Sequence, residues 1–194
     1  MRELRRLAVY CGASIGHDPV YGDAAEALGR TLAARGIGLV YGGGHVGLMG
    51  RVADGALAGG GEVIGVITAA LERLEVAHRG LTRLEVVETM HERKLRMSAL
   101  ADGFIALPGG FGTMDELFEA LTWTQLGIQD KPAGLLDVAG FWRPLVAMVA
   151  QMHTCGFVHA EDRRMLVVDD DADRLIGAMA ATGAAVPVRV RLGK

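Results

Sequence analysis

The segment PGGFGTMDE, residues 108–116, combines three glycines, a threonine and two carboxylates in one short stretch. Glycines let the backbone approach a ligand closely, and the free N–H groups at a helix start favour an anion. Thr113, at the predicted start of the helix, adds a hydroxyl donor. No Gly-Lys-Ser/Thr follows, so the segment is not a Walker A loop. We therefore expect it to bind a single monophosphate.

Glu116 has two interpretations. Thr113 and Glu116 form the pattern T-x-x-E of a capping box, in which the threonine oxygen accepts from the third N–H and the glutamate reaches back. A phosphate on the loop would instead satisfy those donors and leave Glu116 facing the ligand. The local sequence alone leaves both interpretations open.

An upstream helix supplies two cations. In TMHERKLRMSALA, residues 89–101, a helical period places Arg93 and Lys94 in the same arc as Met90 and Met97. Either both cations extend past the methionines to solvent, or they turn towards the glycine loop. In the second case they would meet a phosphate or pair with Glu116.

A second glycine loop, GGGHVG at residues 42–47, matches the dinucleotide pattern G-x-G-x-x-G, with Glu62 about twenty residues further on. This match makes an NAD-dependent oxidoreductase one candidate function, which ranks behind the two others described below. Two observations weaken it. The first βα unit, ending YCGAS at residues 10–14, lacks the pattern, and Glu62 begins a strand, whereas the ribose-binding acid ends one. The alternative is a tight turn that packs a helix closely on the sheet.

Both loops follow short apolar runs that alternate with helical patterns, which predicts βαβ units and a parallel sheet. Strands are predicted at residues 7–10, 37–41, 62–67, 84–88, 104–107, 133–136 and 165–168. Helices are predicted at residues 20–34, 47–58, 89–101, 113–126, 141–152 and 172–181. The pattern is typical of an α/β, doubly wound, Rossmann-like domain with helices on both faces and ligands at the carboxyl ends of the strands.

Composition limits the class of protein. The 194 residues, 51% of them hydrophobic, suit a single domain spanning 1–194, with 182–194 as a tail or an edge strand. A net charge of −3 without runs of like charge argues against nucleic-acid or membrane partners and favours a small molecule. Two distant cysteines, a short apolar N-terminal run and the absence of a long apolar segment predict a cytoplasmic protein. The six histidines show no metal-binding spacing, so we expect neither a metal ion nor a cofactor.

Three segments, YGGGHVGLMG, MHERKLRM and PGGFGTMDE, in this order resemble the LONELY GUY (LOG) family of cytokinin-activating phosphoribohydrolases. The resemblance runs from about residue 7 to 168 and includes WTQLGIQDKPAGLLDV at 123–138. It implies hydrolysis of the N-glycosidic bond of a nucleoside 5'-monophosphate, preferably an N6-modified adenosine 5'-monophosphate. The products would be the free base, a cytokinin, and ribose 5-phosphate. Family members also resemble homodimers, and apolar helix positions such as Phe118, Leu121 and Trp123 leave room for one.

The resemblance also implies roles for individual residues. Arg93 and Glu116 would be catalytic: a carboxylate near the ribose stabilises an oxocarbenium-like state or orients water, and Arg93 would help to hold it ionised. The residues expected to contact substrate are Glu75 (a looser match), Lys94, Gly109, Gly110, Phe111, Gly112, Thr113, Met114, Asp115 and Thr122.

Two other functions share parts of these patterns. Similar PGGxGT loops occur in nucleotide-binding proteins and in molybdenum-cofactor carriers, which hold a ligand without cleaving it. A carrier does not require the set of Arg93, Lys94 and Glu116. Many LOG-like proteins are labelled lysine decarboxylases. A pyridoxal-dependent decarboxylase would need a Schiff-base lysine in a much larger fold, which this chain does not offer.

Overall fold

Seven apolar runs form one parallel sheet in the computed structural model, which describes residues 2–74, 77–163 and 165–182. The strands are β1 (Arg6–Tyr10), β2 (Gly38–Tyr41), β3 (Val63–Thr68), β4 (Arg83–Val87), β5 (Gly103–Ala106), β6 (Ala133–Leu136) and β7 (Leu166–Asp169). Their order across the sheet is β4-β3-β2-β1-β5-β6-β7. The predicted α/β, Rossmann-like fold is confirmed.

The helices lie on both faces of this sheet. They are α1 (Pro19–Ala34), α2 (Gly47–Ala58), α3 (Ala69–Leu74), α4 (Met90–Leu100), α5 (Phe111–Gln125), α6 (Arg143–Thr154), α7 (Ala160–Arg163) and α8 (Ala172–Ala181). The apolar sides of α1, α2 and α8 share one core, and those of α4, α5 and α6 fill two smaller clusters. After its first residue, Arg6, the central strand β1 is buried on both faces, which explains why the residues from Leu7 to Tyr10 are continuously apolar.

Most predicted elements are present within two residues of their predicted ends. The short helices α3 and α7 escape sequence reasoning because six and four residues are too few to show a helical period. Helix α6 starts at Arg143 because a 3-10 turn at Val138–Gly140 precedes it and the Asp137 carboxylate accepts from the Trp142 N–H at 2.8 Å. Of the predicted tail at 182–194, the part beyond Thr182 lies outside the described residues.

The strand order reverses at β1, which has β2 on one side and β5 on the other. In parallel α/β sheets such a reversal opens a crevice at the carboxyl ends of the strands, where ligands bind. Here Tyr10 and Ala106 end the two strands as paired neighbours, and the Gly12 N–H donates to the Pro108 carbonyl at 3.1 Å just beyond them. The fold therefore brings the segment 108–116 next to the loop after β1.

Candidate active site

A cavity of about 510 Å³ opens at this reversal point. The loops after β1, β2 and β5 form it together with the first turns of α2 and α5. Its wall combines apolar side chains with one cation and one carboxylate; among its residues are Cys11, Ser14, Tyr21, Met49, Arg93, Gly110, Thr113, Glu116 and Phe141. Its volume is in the range of small-molecule and cofactor pockets, about 300–1,000 Å³.

Helix α5 points an uncapped N-terminus at this cavity. Its N-cap residue is Gly110, and no side chain caps it, whereas Asp18, Thr89 and Asp171 cap α1, α4 and α8. The first N–H groups of α5 are therefore available to an anion, with the helix dipole favouring negative charge. Thr113 lies beside them and is almost fully buried.

The capping-box interpretation of Thr113 and Glu116 is wrong. Helix α5 begins at Phe111, two residues earlier than predicted, so Thr113 is already in its first turn and cannot serve as the N-cap. The glycine-rich turn causes this difference because it places Gly110 in the extended conformation that an N-cap requires. Gly109 makes room for the threonine, since a Cβ there would lie 2.0 Å from the Thr113 Oγ1.

A true capping box lies instead at the start of α4. The Thr89 Oγ1 accepts from the Glu92 N–H at 3.1 Å, and the Glu92 Oε2 accepts from the Thr89 N–H at 3.0 Å. The same T-x-x-E pattern at 89–92 could have revealed it. This cap fixes the first turn of α4, from which Arg93 projects.

Arg93 is buried, with 8% of its surface exposed, so the prediction that it could extend to solvent is wrong. Its Nε donates to the Val66 carbonyl at 3.0 Å, and its Nη2 donates to the Gly42 carbonyl at 3.3 Å. A Cβ on Gly42 would lie only 2.0 Å from that Nη2. The first glycine of GGGHVG thus makes space for the arginine.

Glu116 faces Arg93 across the cavity wall, with its Oε1 3.7 Å from the Arg93 Nη1. Only 12% of its side chain is exposed. Burial raises the pKa of Glu116 from 4.5 to about 7, and the nearby Arg93 charge opposes this effect only in part. The expectation that Arg93 holds Glu116 ionised therefore needs correction, because burial outweighs the cation. The carboxyl group can exchange a proton near neutral pH.

Lys94, on α4, is also buried, but its side chain contacts α5 and does not line the cavity. Its Nζ donates to the Asp115 Oδ2 at 3.1 Å and to the Glu119 Oε2 at 2.8 Å. Burial opposes the charge of Lys94, yet these two hydrogen bonds raise its pKa. Extension to solvent is wrong for this residue too, and its contact with substrate stays a prediction. Sequence reasoning missed Glu119, although two carboxylates at i, i+4 repel each other, so that Asp115 and Glu119 together favour a cation beside them.

The other predicted substrate contacts fall into three groups. Gly109, Gly110, Gly112 and Thr113 line the cavity. Met114, Asp115 and Thr122 line a shallow depression on the outer side of α5, and Phe111, 96% exposed, projects from its first turn. Glu75 lies outside the described residues. The structure brings the first group together with Arg93 and Glu116 and leaves the second group apart.

Sequence reasoning also missed the apolar wall of the cavity. Tyr21 and Phe141 pack edge to face with ring centroids 6.1 Å apart, and Met49 lies on the first turn of α2. These residues come from different parts of the chain and share no local motif. Only the folded chain brings them together.

In the structure, Glu62, the acidic residue that the NAD interpretation requires, does not lie at the cavity. Glu62 immediately precedes β3, at the edge of the sheet opposite the cavity, where it accepts from the Arg6 Nε at 2.7 Å and the Arg6 Nη2 at 3.1 Å. A ribose-binding acid would lie at the carboxyl end of a strand. Among the described residues, no group of three His, Cys, Asp or Glu side chains is placed to hold a metal ion. In the same part of the chain, no helix is long and apolar enough to cross a membrane.

Similarity to known proteins shows the family of this chain. The model of the family described as "Possible lysine decarboxylase" matches residues 49–179. A probable cytokinin riboside 5'-monophosphate phosphoribohydrolase of Oryza sativa subsp. japonica is 48% identical over 174 residues, which cover 90% of this chain and 78% of that protein. The cytokinin riboside 5'-monophosphate phosphoribohydrolase of Rhodococcoides fascians is 44% identical over 176 residues, 90% of this chain and 89% of the relative. The chain belongs to the LOG family.

More distant solved structures share the fold of this LOG-family chain. The molybdenum cofactor carrier protein of Chlamydomonas reinhardtii superposes with a TM-score of 0.68 over 91% of this chain and 96% of its own, at 20% identity. The molybdenum cofactor binding protein of Rippkaea orientalis superposes with a TM-score of 0.67 over 90% of this chain and 94% of its own, also at 20% identity. At this identity the similarity establishes the architecture and not the ligand.

Proposed function

We propose that this LOG-family chain hydrolyses the N-glycosidic bond of N6-modified adenosine 5'-monophosphates, releasing the free base and ribose 5-phosphate. One observation carries the proposal: the buried Arg93–Glu116 pair and the uncapped start of α5 face the same cavity. The first feature suits the chemistry of the ribose, and the second suits a 5'-phosphate. The names of the relatives, which are phosphoribohydrolases at 42–48% identity, support the same activity.

The reaction breaks the bond between the ribose C1' and the base nitrogen, and a water oxygen forms the new bond to C1'. Positive charge develops on the ribose ring in the transition state. Glu116 as a carboxylate stabilises that charge and accepts a proton from the attacking water. The leaving base takes up one proton from solvent, and Glu116 afterwards returns its proton to solvent, so that the reaction consumes one water molecule. Arg93 does not act as an acid because a guanidinium keeps its proton. It orients Glu116 and the sugar phosphate.

The apolar wall suits the base. Tyr21, Met49 and Phe141 lie in the same cavity as the anion-binding turn, so a nucleotide with its phosphate at α5 can place its base against them. Planar bases and apolar substituents gain from burial against such side chains. We therefore expect isopentenyladenosine monophosphate to be cleaved with a higher kcat/KM than AMP.

The activity can be tested by incubating the protein with AMP or isopentenyladenosine monophosphate and measuring ribose 5-phosphate and free base. Glu116→Gln is expected to lose turnover by about a hundredfold to ten-thousandfold. Glu85→Gln, which removes a surface carboxylate paired with Arg96, is the matched control. Nucleotide binding without release of base would instead support a carrier.

We also propose that the chain forms a homodimer through the side of the sheet that carries α4 and α5. The support is the set of apolar side chains left exposed there: Leu95 at 61%, Phe111 at 96% and Leu126 at 55%. Phe118 and Leu121 instead lie partly buried against the core, so they are less available than the sequence suggested. Light scattering after gel filtration tests this state, and a monomer at micromolar concentration would contradict it.

The cytoplasmic location and the absence of nucleic-acid and membrane partners stay predictions.

A further inference from the structure

Three carboxylates lie close together on α5 and two cations face them from α4. Asp115, Glu116 and Glu119 fall on neighbouring turns of α5, and Arg93 and Lys94 are adjacent on α4. The two cations divide these carboxylates between them. Lys94 takes Asp115 and Glu119 at hydrogen-bond distance, whereas Arg93 is left with Glu116 at 3.7 Å.

The Lys94–Glu119 bond has the better geometry of the two bonds that Lys94 makes to α5. Its length is 2.8 Å against 3.1 Å to Asp115, and the Glu119 side chain is 25% exposed against 60% for Asp115. A partly buried ion pair of this kind is screened less by water and salt than an exposed one. Glu119 therefore fixes where Lys94, and with it this part of α4, lies relative to α5.

We propose that Glu119 is a positioning residue for Glu116, acting through Lys94, which it anchors so that Arg93 alone faces the carboxylate in the cavity. The inference rests on the proposed function, in which Glu116 is catalytic. Glu119 itself does not line the cavity. Its role is geometric, because it ties α4 to α5, and electrostatic, because its charge and that of Lys94 both reach Glu116.

Several groups besides Glu119 lie close enough to Glu116 to interact with its charge. The charged groups that act on it are Arg93 and Lys94 on α4 and Asp115 and Glu119 on α5. Two further titratable groups face it from the end of β1: the Glu116 charge raises the pKa of Tyr10 and of Cys11. Burial raises the pKa of both Tyr10 and Cys11, so these two stay neutral at neutral pH. Burial of Glu116 is the largest influence on its pKa; Arg93 and Lys94 lower that pKa, and Asp115 and Glu119 raise it.

This arrangement predicts opposite effects for the two members of the pair. Glu119→Gln removes a negative charge, so the pKa of Glu116 falls and the acidic limb of kcat/KM moves to lower pH. Lys94→Met removes a positive charge, so the pKa rises and the limb moves to higher pH. Lys94→Met loses both bonds to α5, and Glu119→Gln loses the 2.8 Å ion pair while the 3.1 Å bond to Asp115 remains, so kcat at pH 8 falls about tenfold to a hundredfold in each. A purely structural role would not move the limbs in opposite directions.

The experiment measures pH profiles of kcat and kcat/KM for the full-length wild type, Glu119→Gln and Lys94→Met, with Glu85→Gln as control. Calorimetry measures AMP binding in a Glu116→Gln background, where Glu119→Gln is expected to leave the Kd unchanged. Carboxyl 13C NMR of glutamate-labelled protein follows the titration of Glu116 without turnover. Its signal is identified by its absence in Glu116→Gln.

Opposite movements of the two limbs and of the two NMR titrations, with the control unmoved, would support the inference. Acidic limbs of kcat/KM that stay in place in both variants, or that move in the same direction, would overturn it. An equal shift of the limb in Glu85→Gln would overturn it as well. A loss limited to urea stability would reduce Glu119 to a structural residue and also overturn it. If the wild type released no base while the NMR titrations moved oppositely, the proposed function would fail and the positioning of Glu116 would stand.

Discussion

Replacement of Glu116 by glutamine is expected to lower turnover by about a hundredfold to ten-thousandfold and, at the same time, to stabilise the protein at alkaline pH. The side chain is buried, and its pKa rises from 4.5 to about 7 on folding. Above pH 7 the folded protein must therefore hold a buried charge that the unfolded chain exposes to water. A neutral glutamine of nearly the same shape avoids that cost.

The magnitude follows from the two pKa values. Their difference converts, at about 1.36 kcal/mol per pKa unit, to about 3 kcal/mol. Because the folded state holds the proton more tightly, the wild type loses this stability as the pH rises from 4.5 to 7. At pH 8 the loss is nearly complete, and well below pH 4.5 it is absent. The attraction of Arg93 is already included, since it acts on the same pKa.

Urea unfolding followed by circular dichroism at pH 5 and pH 8, at one protein concentration, measures this difference. We expect Glu116→Gln to be more stable than the wild type by up to about 3 kcal/mol at pH 8 and by little at pH 5. Glu85→Gln serves as the control for loss of a paired surface carboxylate. If Glu116→Gln were as stable as the wild type or less stable at pH 8, the pair with Arg93 would outweigh burial. The near-neutral pKa on which the proposed role of Glu116 depends would then be refuted.

Three further substitutions test the supports of the site. Gly42→Ala places a Cβ 2.0 Å from the Arg93 Nη2, so turnover should fall about a hundredfold; unchanged kcat would show that the guanidinium need not lie there. Gly109→Ala displaces the Thr113 hydroxyl, and calorimetry should show the Kd for AMP weakened by about tenfold or more, whereas an unchanged Kd would exclude this turn from phosphate binding. Thr89→Ala breaks the capping box of α4, which should lower urea stability by about 1 kcal/mol; equal midpoints would contradict the cap.

The fold was predictable because its signals are local and repeated. Each strand is a short apolar run, each longer helix shows a period near 3.6, and their alternation predicts a parallel sheet. The exceptions have local causes as well. Helix α3 is too short to show a period, and α5 begins at Phe111 because the glycines before it form the N-cap.

The site was predictable only in part. Arg93 and Glu116 were recognised from their types and from the family resemblance, and the structure places them 3.7 Å apart on one cavity. Of the two partners of Lys94, Glu119 was not foreseen, because it lies outside the glycine motif. The apolar wall was not foreseen either, since its members lie far apart in the chain.

By itself, the sequence determined all elements except the short helices α3 and α7, the glycine-rich turn that we propose to bind an anion, and the two charged residues expected to do the chemistry. These depend on residue types and on spacings of a few positions, which a linear chain already contains. Tertiary structure alone decided which cation meets which carboxylate and how far burial raises the pKa of Glu116. Those properties depend on distances between helices and on the exclusion of water. They come into existence only when α4 and α5 pack against the same sheet.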